Sequence, residues 1–410
     1  MKQVSIAYIL AEFPSYTETF ILKEMLFINK TFPLYIIPLK KGKTTVNESD
    51  YKELNDKILY ITPLTLIKSI GYCFLTSLKE KNVSKEWKNV LGNILKVNII
   101  NTLHQFKLLL TGLYILRLIK QKSVEHIHSH FANYPTDIAM LVSRFSGIPF
   151  SFSAHANDIY VNPKELTKKI IASKFVTTCT QYNKMWLNNL DPNSRRNKIH
   201  LIYHGVNVEY WQNNLTQVRQ EKRKQILCIG RLIEKKGIIY LLEAIRQINM
   251  KYQKLNLAIV GRGEEEQELI NFCHSHGLSN DVTFLGWQSP QQIKALFACS
   301  SIFVLPSIIA SDGDRDGIPN VILEAMASGL PVITTPISGI TEVIHHEYNG
   351  LLVPEKDVSQ LVDSILALIN DENLRNSLRN NGLQTIIEKF DSVKCNILLQ
   401  NLFEKEITTE

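Results

Sequence analysis

The sequence lacks the features of disulfide-bonded, secreted and membrane-spanning proteins. It holds six cysteines in 410 residues, scattered and without a C-x-x-C pair, so we interpret them as buried thiols of a reducing compartment. The longest apolar stretch, Leu108–Leu116, is far shorter than the ~20 residues of a membrane helix. The apolar run near the N-terminus stops before Glu12, which favours a first strand over a signal peptide. We therefore expect a cytoplasmic protein.

The chain also lacks low-complexity tracts and repeats of fixed period. Hydrophobic residues make up 45% and charged residues 21%, an ordinary globular composition that excludes disordered and collagen-like proteins. Because single cores stop growing at about 250–300 residues, a chain of 410 residues is expected to form two domains.

Acidic residues are scarce in one segment, residues 62–122. It has ten lysines and arginines against only Glu80 and Glu86, a balance of +8, while the whole chain carries +7. The rest of the protein is therefore close to neutral. We interpret the segment as a helical insert whose apolar residues pack on the domain and whose lysines dock to an anionic membrane surface, on the inner face of the cell membrane. Nucleic acid is not expected, because no recognised binding module accompanies the charge.

Short apolar runs alternate with helical patterns in both halves of the chain. This alternation is typical of parallel sheets with helices on both faces, and the polar stretch at 207–224 is a candidate domain junction. The fold class is therefore α/β, with two doubly wound domains. Predicted strands are Val4–Leu10, Leu34–Ile37, Val124–His128, Phe150–Ser153, Phe175–Thr178, Gln225–Ile229, Asn256–Val260, Val282–Leu285, Ile302–Leu305 and Val332–Thr334. Residues 374–404 are predicted to be helical.

The most informative motif runs from Ser311 to Gly329 and follows a predicted strand. Asp316 precedes a helix that opens with Pro319, and Glu324 lies eight residues further on, so the two carboxylates can hold different hydroxyl-bearing parts of one ligand. The free backbone N–H groups at the helix start, near Asn320 and Val321, suit a phosphate.

The same loop resembles the first half of a calcium loop. Asp312, Asp314 and Asp316 alternate before Gly317, as in an EF-hand, but the twelfth position is Leu323. We reject calcium binding and expect Asp312 and Asp314 to be solvated loop acids.

Further candidates lie in turns after predicted strands. Arg231 and Lys236 flank one such turn, where two fixed cations could neutralise a diphosphate. Gly261 and Gly263 form only half of a G-x-G-x-x-G pattern, which argues against a dinucleotide oxidoreductase.

Histidines follow two strands of the first half. His126, His128 and His130 share one strand face at period two, so zinc is conceivable, but no cysteine or carboxylate lies nearby in sequence to complete a site. We predict no metal; His126 and His128 are expected to pack, and His130 to line the ligand cleft. His155 and Asp158 follow the next strand.

Taken in order, these motifs resemble family-4 retaining glycosyltransferases over nearly the whole chain. The segment Asp316-Gly-Ile-Pro-Asn-Val-Ile-Leu-Glu324 is similar to that family's E-x7-E motif, with aspartate as its first acid, and Arg231 and Lys236 match its Arg-x4-Lys pair. The resemblance implies a GT-B fold, with two Rossmann-like domains facing across a cleft, and transfer from a nucleotide-diphosphate sugar with retention and without a cofactor or metal. The N-terminal loop is similar to a subset that assembles bacterial exopolysaccharides of the colanic-acid type.

The resemblance also implies roles for single residues. The first acid contacts the transferred sugar, the second the nucleotide ribose, and His155 the sugar or the leaving phosphate. The remaining donor-binding candidates are Gly261, Gly263, Leu285, Gly317, Ile318, Asn320 and Val321. Acceptor-side candidates, for a glycan or lipid-linked acceptor, are Thr17, Glu18, His130 and Asp158; for Thr17 and Glu18 a helix cap, with Ser15, is the stronger interpretation. For Glu342 a structural role is about as plausible as a ligand contact.

The predicted domains are an acceptor-binding domain at 1–205, a donor-binding domain at 206–385 and a helical tail at 386–410 that crosses back to the first domain. Three alternatives remain: a GT-B nucleotide-sugar epimerase, a phosphorylase, and a non-catalytic membrane scaffold on the same fold. A pyridoxal-type phosphorylase would need a Schiff-base lysine context that the sequence does not offer.

Overall fold

The computed structural model describes residues 4–15, 18–42, 48–62, 99–161, 163–190, 197–212 and 225–408. The chain divides into two compact units. The first comprises Met1–Thr178, Lys184–Ile202 and Leu398–Glu410, and the second Cys179–Asn183 and Tyr203–Ile397. The last residues of the chain therefore pack in the unit that also contains the first residues.

The first unit is built on a six-stranded sheet in which every pair is parallel. Its order is β2-β1-β3-β4-β5-β6. The strands are β1 Ile6–Leu10, β2 Leu34–Pro38, β3 His126–His130, β4 Phe150–Ala154, β5 Val176–Thr178 and β6 Ile199–Leu201.

Both faces of this sheet are buried. Because side chains alternate along a strand, Ile6, Tyr8 and Leu10 of β1 enter one apolar cluster, whereas Ala7 and Ile9 enter another. This is the burial expected of a doubly wound sheet. Among the described residues up to Gln212, the α-helices are α1 Thr19–Ile28, α2 Ile99–Gln121, α3 Tyr134–Ser146, α4 Ala156–Tyr160, α5 Leu166–Ala172, α6 Gln181–Leu190 and α7 Val208–Gln212, and a 3-10 segment covers Glu48–Lys57. The last of these helices, α7, belongs to the second unit.

The second unit repeats the plan with a parallel sheet of order β12-β11-β10-β7-β8-β9. Its strands are β7 Gln225–Ile229, β8 Asn256–Val260, β9 Val282–Phe284, β10 Ile302–Leu305, β11 Val332–Thr334 and β12 Leu351–Leu352. Its helices are α8 Ile238–Lys251, α9 Glu266–Ser275, α10 Pro290–Cys299, α11 Asn320–Ala327, α12 Ile340–Val343, α13 Val358–Asn370 and α14 Glu372–Lys389; α15 Ser392–Thr408 follows and spans the last boundary between the units.

The predicted α/β class with two doubly wound sheets is confirmed, and several local predictions need correction. The residues predicted as one helical stretch at 374–404 belong to two helices, because Phe390 and Asp391 interrupt them. The strands β6 and β12 were not predicted. The capping box of Ser15 and Glu18 is wrong: α1 begins at Thr19, and Glu18 makes no side-chain cap hydrogen bond.

Only the end of the basic segment can be compared with its prediction, because 63–98 lie outside the described residues. In α2, Leu109, Leu113 and Leu116 are buried, as expected for a helix packed on the domain. No described helix is long and apolar enough to cross a membrane.

Candidate active site

The turn after β7 buries two adjacent lysines. A 3-10 turn, Glu234–Lys236, follows β7 and ends at Gly237, whose φ is +61°. A Cβ on Gly237 would lie 2.1 Å from the backbone oxygen of Pro306, so only glycine fits here. The turn therefore lies directly against the loop that follows β10, and Lys235 and Lys236 are only 6% and 8% exposed.

These lysines pair with two acids of the predicted motif. Lys236 Nζ lies 2.7 Å from Asp316 Oδ2, and Lys235 Nζ lies 2.8 Å from Asp314 Oδ2 and 3.6 Å from Asp316 Oδ1. Ser307 Oγ also donates to Asp316, at 3.3 Å. Thus Asp314 is not the solvated acid that we expected, whereas Asp312 is exposed and accepts from the backbone N–H of Asp314.

The lysines also determine the charge state of Asp316. Burial raises the pKa of this carboxyl, but the nearby ammonium groups of Lys236 and Lys235 and the hydrogen bonds from Lys236 and Ser307 more than compensate, and the pKa lies below its ordinary value. Asp316 is therefore an anion at neutral pH, held in place by two cations.

Arg231 differs from the lysines. Its side chain is exposed, and among the described residues its guanidinium has no hydrogen bond or ion pair. An unpaired guanidinium presents a fork of donors that suits a phosphate oxygen pair. The structure thus joins Lys236 to Asp316 and leaves Arg231 available for an anion.

The glycines predicted at the nucleotide lie where backbones meet closely. A Cβ on Gly261, whose φ is +135°, would lie 1.8 Å from the oxygen of Gly230, and one on Gly263 would lie 2.1 Å from that of Leu232. The loop of Leu285 is attached to the same strand ends, because Leu285 N donates to Ile259 O at 2.8 Å. These loops form a compact edge beyond the carboxyl ends of β7, β8 and β9, where doubly wound folds bind ligands.

The helix α11 starts at Asn320, after the turn that contains Gly317 and Ile318. Asn320 Oδ1 is buried and has no hydrogen-bond partner within the described ranges. Val321 is half-buried on the first turn, and Glu324 is half-buried one turn later. Asp316 therefore precedes the helix and Glu324 lies within it, as the spacing predicts.

Glu342 has a structural role in the second unit. Its carboxylate accepts from the backbone N–H groups of Gln181 and Tyr182, at 2.7 and 2.9 Å, and from the Tyr203 hydroxyl at 2.9 Å. Burial, reinforced by this carboxylate, raises the pKa of Tyr203. Glu342 thereby attaches the segment 179–183 to the second unit.

In the first unit, Asp158 connects two loops. It accepts from the backbone N–H of His155 at 2.9 Å and from that of Ala132, and it is only 1% exposed. Burial raises its pKa to about 7, although these hydrogen bonds and Lys169 act in the opposite direction. These contacts give Asp158 a positioning role for the loops after β3 and β4; the predicted acceptor contact stays a prediction.

His130 and His155 lie side by side. Their near-parallel rings are 5.7 Å apart, and His130 Nδ1 is 3.5 Å from His155 Nε2. On its other side, His130 Nε2 lies 3.1 Å from Glu24 Oε1, which also accepts from the Tyr8 hydroxyl at 2.9 Å. Sequence reasoning missed Glu24; the available signal was a lone acid beside the buried positions Ile21, Met25 and Ile28 of α1.

The two earlier histidines of β3 are packing residues, as expected. The His126 ring stacks on Phe175, with 2° between the planes, and His128 lies edge-on to Phe403 of α15. Both rings form a hydrogen bond with the Ser151 hydroxyl. Burial is the main cause that lowers the pKa of His126 to about 3 and that of His128 well below its ordinary value.

Glu24, His128 and His130 bring possible ligand atoms within 4.8 Å of one another, so these three side chains of the first unit could approach an ion. Each of these side chains already has hydrogen-bond partners: Glu24 has Tyr8 and His130, His130 has His155 as well, and both nitrogens of His128 contact serine hydroxyls. We describe the group as a hydrogen-bonded cluster. The absence of a metal stays a prediction.

Of the acceptor-side candidates on the N-terminal loop, Thr17 lies outside the described residues. Glu18 precedes α1, and burial raises the pKa of its carboxyl. Its predicted contact with an acceptor is not tested by this geometry.

The family of the second unit follows from comparison with known proteins. Residues 212–385 match the family model of glycosyl transferases group 1, and this range contains every donor-side residue described above. The chain contains a glycosyl transferases group 1 domain. The strands β7 to β12 and the pair of Lys236 and Asp316 all belong to this domain.

Three relatives have glycosyltransferase names. An uncharacterized glycosyltransferase of Methanocaldococcus jannaschii is 28% identical over 70% of this chain and 77% of its own length. The amylovoran biosynthesis glycosyltransferase of Erwinia amylovora is 35% identical over 43% of each chain, and a putative colanic acid biosynthesis glycosyltransferase of Escherichia coli is 36% identical over 35% of each. The chain thus matches less than half of the length of the latter two.

Solved structures extend the likeness to the whole fold. Anabaena HepE in complex with UDP superposes with a TM-score of 0.71 and 15% identity, covering 98% of this chain and 100% of that chain. The lipopolysaccharide outer core galactosyltransferase WaaB superposes with a TM-score of 0.66 and 18% identity, over 98% of this chain and 100% of that one. At such low identity the likeness shows the fold alone: the chain has the predicted GT-B fold.

Proposed function

We propose that the protein is a retaining glycosyltransferase that moves a sugar from a nucleotide-diphosphate sugar to a glycan or lipid-linked acceptor in bacterial surface polysaccharide biosynthesis. The observation that carries the proposal is the edge of the second sheet, where Arg231 is exposed beside a turn that holds the buried Lys236. The amylovoran and colanic acid names of two relatives support the pathway, and the UDP and UDP-glucose bound to HepE support the donor class.

In this proposal the two cations act on the diphosphate. Arg231 binds it through its fork of donors, and Lys236 stabilises the charge that develops as the nucleotide leaves. Asp316 keeps Lys236 oriented and accepts from a sugar hydroxyl, while Glu324 accepts from the ribose. The start of α11, at Asn320 and Val321, offers backbone N–H groups to the phosphate.

The first unit contributes His155, which donates a hydrogen bond to the sugar or the leaving phosphate. Attack occurs on the face from which the nucleotide leaves, and the donor phosphate accepts the acceptor's proton, so the protein needs no dedicated base. Because Arg231 and Lys236 supply positive charge, we expect transfer to proceed without a divalent metal, and EDTA treatment should leave the rate unchanged.

A nucleotide-binding experiment tests the donor site. UDP, GDP and their glucose and mannose esters are screened by thermal shift, because a ligand at 100 times its dissociation constant stabilises a protein by about 2.7 kcal/mol. The double variant Arg231→Ala with Glu324→Ala should bind none of them. Arg246→Ala, which removes the ion pair with Glu243 and the contact with Met250 Sδ within α8, is the control; unchanged affinity in the double variant would refute the site.

Two further measurements test the finer parts of the proposal. NMR of the glycoside product should show the donor's anomeric configuration, and an inverted product contradicts retention. Flotation with neutral and anionic vesicles tests whether the basic segment at 62–122 brings a cytoplasmic enzyme to the membrane; equal recovery with both vesicles contradicts docking.

A further inference from the structure

We propose that Glu24 is a positioning residue that determines which nitrogen of His155 carries the proton. Four side chains of the first unit, Tyr8, Glu24, His130 and His155, form a continuous chain of hydrogen bonds. All four are buried or nearly so: Tyr8 is 0%, His130 1% and His155 8% exposed, and the Glu24 side chain is 13% exposed.

The Glu24 carboxylate determines which atom donates and which accepts in each of these hydrogen bonds. An ionised carboxylate only accepts hydrogen bonds, so His130 Nε2, 3.1 Å away, must carry a proton. A neutral imidazole has one N–H, and His130 Nδ1 is therefore an acceptor. Its neighbour at 3.5 Å, His155 Nε2, must then be the donor.

The other end supports the same direction. His155 and Asp158 are arranged as a capping box, in which the His155 side chain faces the backbone N–H of Asp158 without a regular cap hydrogen bond. A backbone N–H only donates, so the ring nitrogen that faces it must be unprotonated. Because Nε2 faces His130, this nitrogen is Nδ1, and the proton of His155 is again on Nε2. Two fixed groups, a carboxylate and a peptide N–H, thus impose one tautomer on both rings.

The consequence for chemistry rests on the proposed function. The 3.5 Å contact is at the long limit for a hydrogen bond, so the Nε2–H of His155 can leave His130 for an oxygen of the sugar or phosphate at little cost. Glu24 ensures that His155 Nε2 presents a proton to that oxygen. A lone pair on Nε2 would repel an anionic oxygen. Glu24 itself needs no contact with the ligand.

The test uses NMR of the full-length protein with ¹⁵N-labelled histidine. Long-range ¹H–¹⁵N spectra distinguish the two tautomers, and the signals are assigned by their loss in His130→Gln and His155→Asn. Wild type should show both rings as neutral Nε2–H forms, with a His130 N–H protected from exchange with water. Either ring in the Nδ1–H form overturns the proposal.

Variants separate this role from general stability. Glu24→Ala should lose the protected His130 N–H, and Glu24→Gln should keep it because the amide oxygen still accepts; Glu12→Ala, which removes a carboxylate paired with exposed Lys40, is the matched control. A protected signal in Glu24→Ala contradicts the proposal, and chemical denaturation shows whether each variant is folded.

A kinetic experiment adds a readout that depends on the proposed function. Glu24→Ala should lower kcat for sugar transfer about 10- to 100-fold with KM for the nucleotide sugar nearly unchanged, and Glu24→Gln should recover most of the loss. If wild type itself transfers no sugar, the proposed function fails while the NMR spectra still decide the tautomer. An unchanged kcat in Glu24→Ala overturns the positioning role.

Discussion

The ammonium group of Lys236 lies 2.7 Å from a carboxylate oxygen of Asp316, although 80 residues separate the two in sequence. One side chain belongs to the turn after β7 and the other to the loop before α11. The contact connects the two motifs from which a donor site was predicted, and it shows that the shorter aspartate, in place of the glutamate usual in the family motif, still reaches this lysine.

Asp316→Asn should destabilise the protein and weaken donor binding together. Lys236 and Lys235 would stay buried with one carboxylate fewer, and breaking a buried pair costs about 3 kcal/mol. Because the folded pKa of Asp316 is lowered, this stability is fully present above the ordinary pKa and is lost as the pH falls through the folded value. Urea denaturation at pH 7 measures it; Asp312→Asn, in the same loop, should change the free energy by less than about 0.5 kcal/mol.

Gly261→Ala should disrupt the edge of the second unit beyond the carboxyl ends of β7, β8 and β9. Its Cβ would meet the Gly230 oxygen at 1.8 Å, and its φ of +135° disfavours alanine, so we expect a loss of more than about 2 kcal/mol. Gly277→Ala is the matched control, because Gly277 has φ +71° but nothing within 4 Å of a Cβ; it should cost about 1 kcal/mol. Equal costs by urea denaturation would contradict the close approach.

Phe403→Ala should destabilise the first unit strongly. Phe403 of α15 is 0% exposed and contacts Phe32, His126, His128 and Phe175, so the variant leaves a cavity that costs about 3–5 kcal/mol. Leu398→Ala, on the same helix at 55% exposure, should cost less than about 0.5 kcal/mol. Thermal denaturation of both variants distinguishes a packed helix from a loosely attached one.

Asp158→Asn should change how stability depends on pH. The folded pKa of Asp158, about 7, is raised by burial from an ordinary 3.8, so the folded state binds one more proton between these values. Its contribution is fully present below pH 3.8 and is lost as the pH rises through about 7. The free energy of unfolding of the wild type relative to Asp158→Asn should therefore fall between pH 4 and 8, and a constant difference contradicts the raised pKa.

The sequence predicted best what depends on local pattern. Strands β7, β8, β10 and β11 have the predicted bounds because each is a short apolar run buried on both faces. The strand β6 was missed because His200 interrupts it and two of its three residues are only half-buried, and β12 has only two residues. The break between α14 and α15 was missed because residues 374–404 look uniformly helical.

Within the site, the sequence identified residue types but not their partners. It singled out Lys236 and Asp316 by spacing, yet their contact depends on the packing of two loops. Glu24 was missed because His130, its partner, lies 106 residues away. Asp314 was misjudged because an acid in a glycine-containing loop is usually solvated, and only the buried Lys235 changes that.

The division of the chain into two units determines which truncated fragments could fold. The second unit is nearly continuous in sequence, since it needs only Cys179–Asn183 besides Tyr203–Ile397. The first unit is not: a fragment that ends at residue 205 would lack α15, and with it the phenylalanine that covers the histidines of β3. Such a fragment would expose the apolar surface that α15 covers, and we expect it to aggregate. Adding residues 392–408 as a separate peptide should restore a soluble first unit.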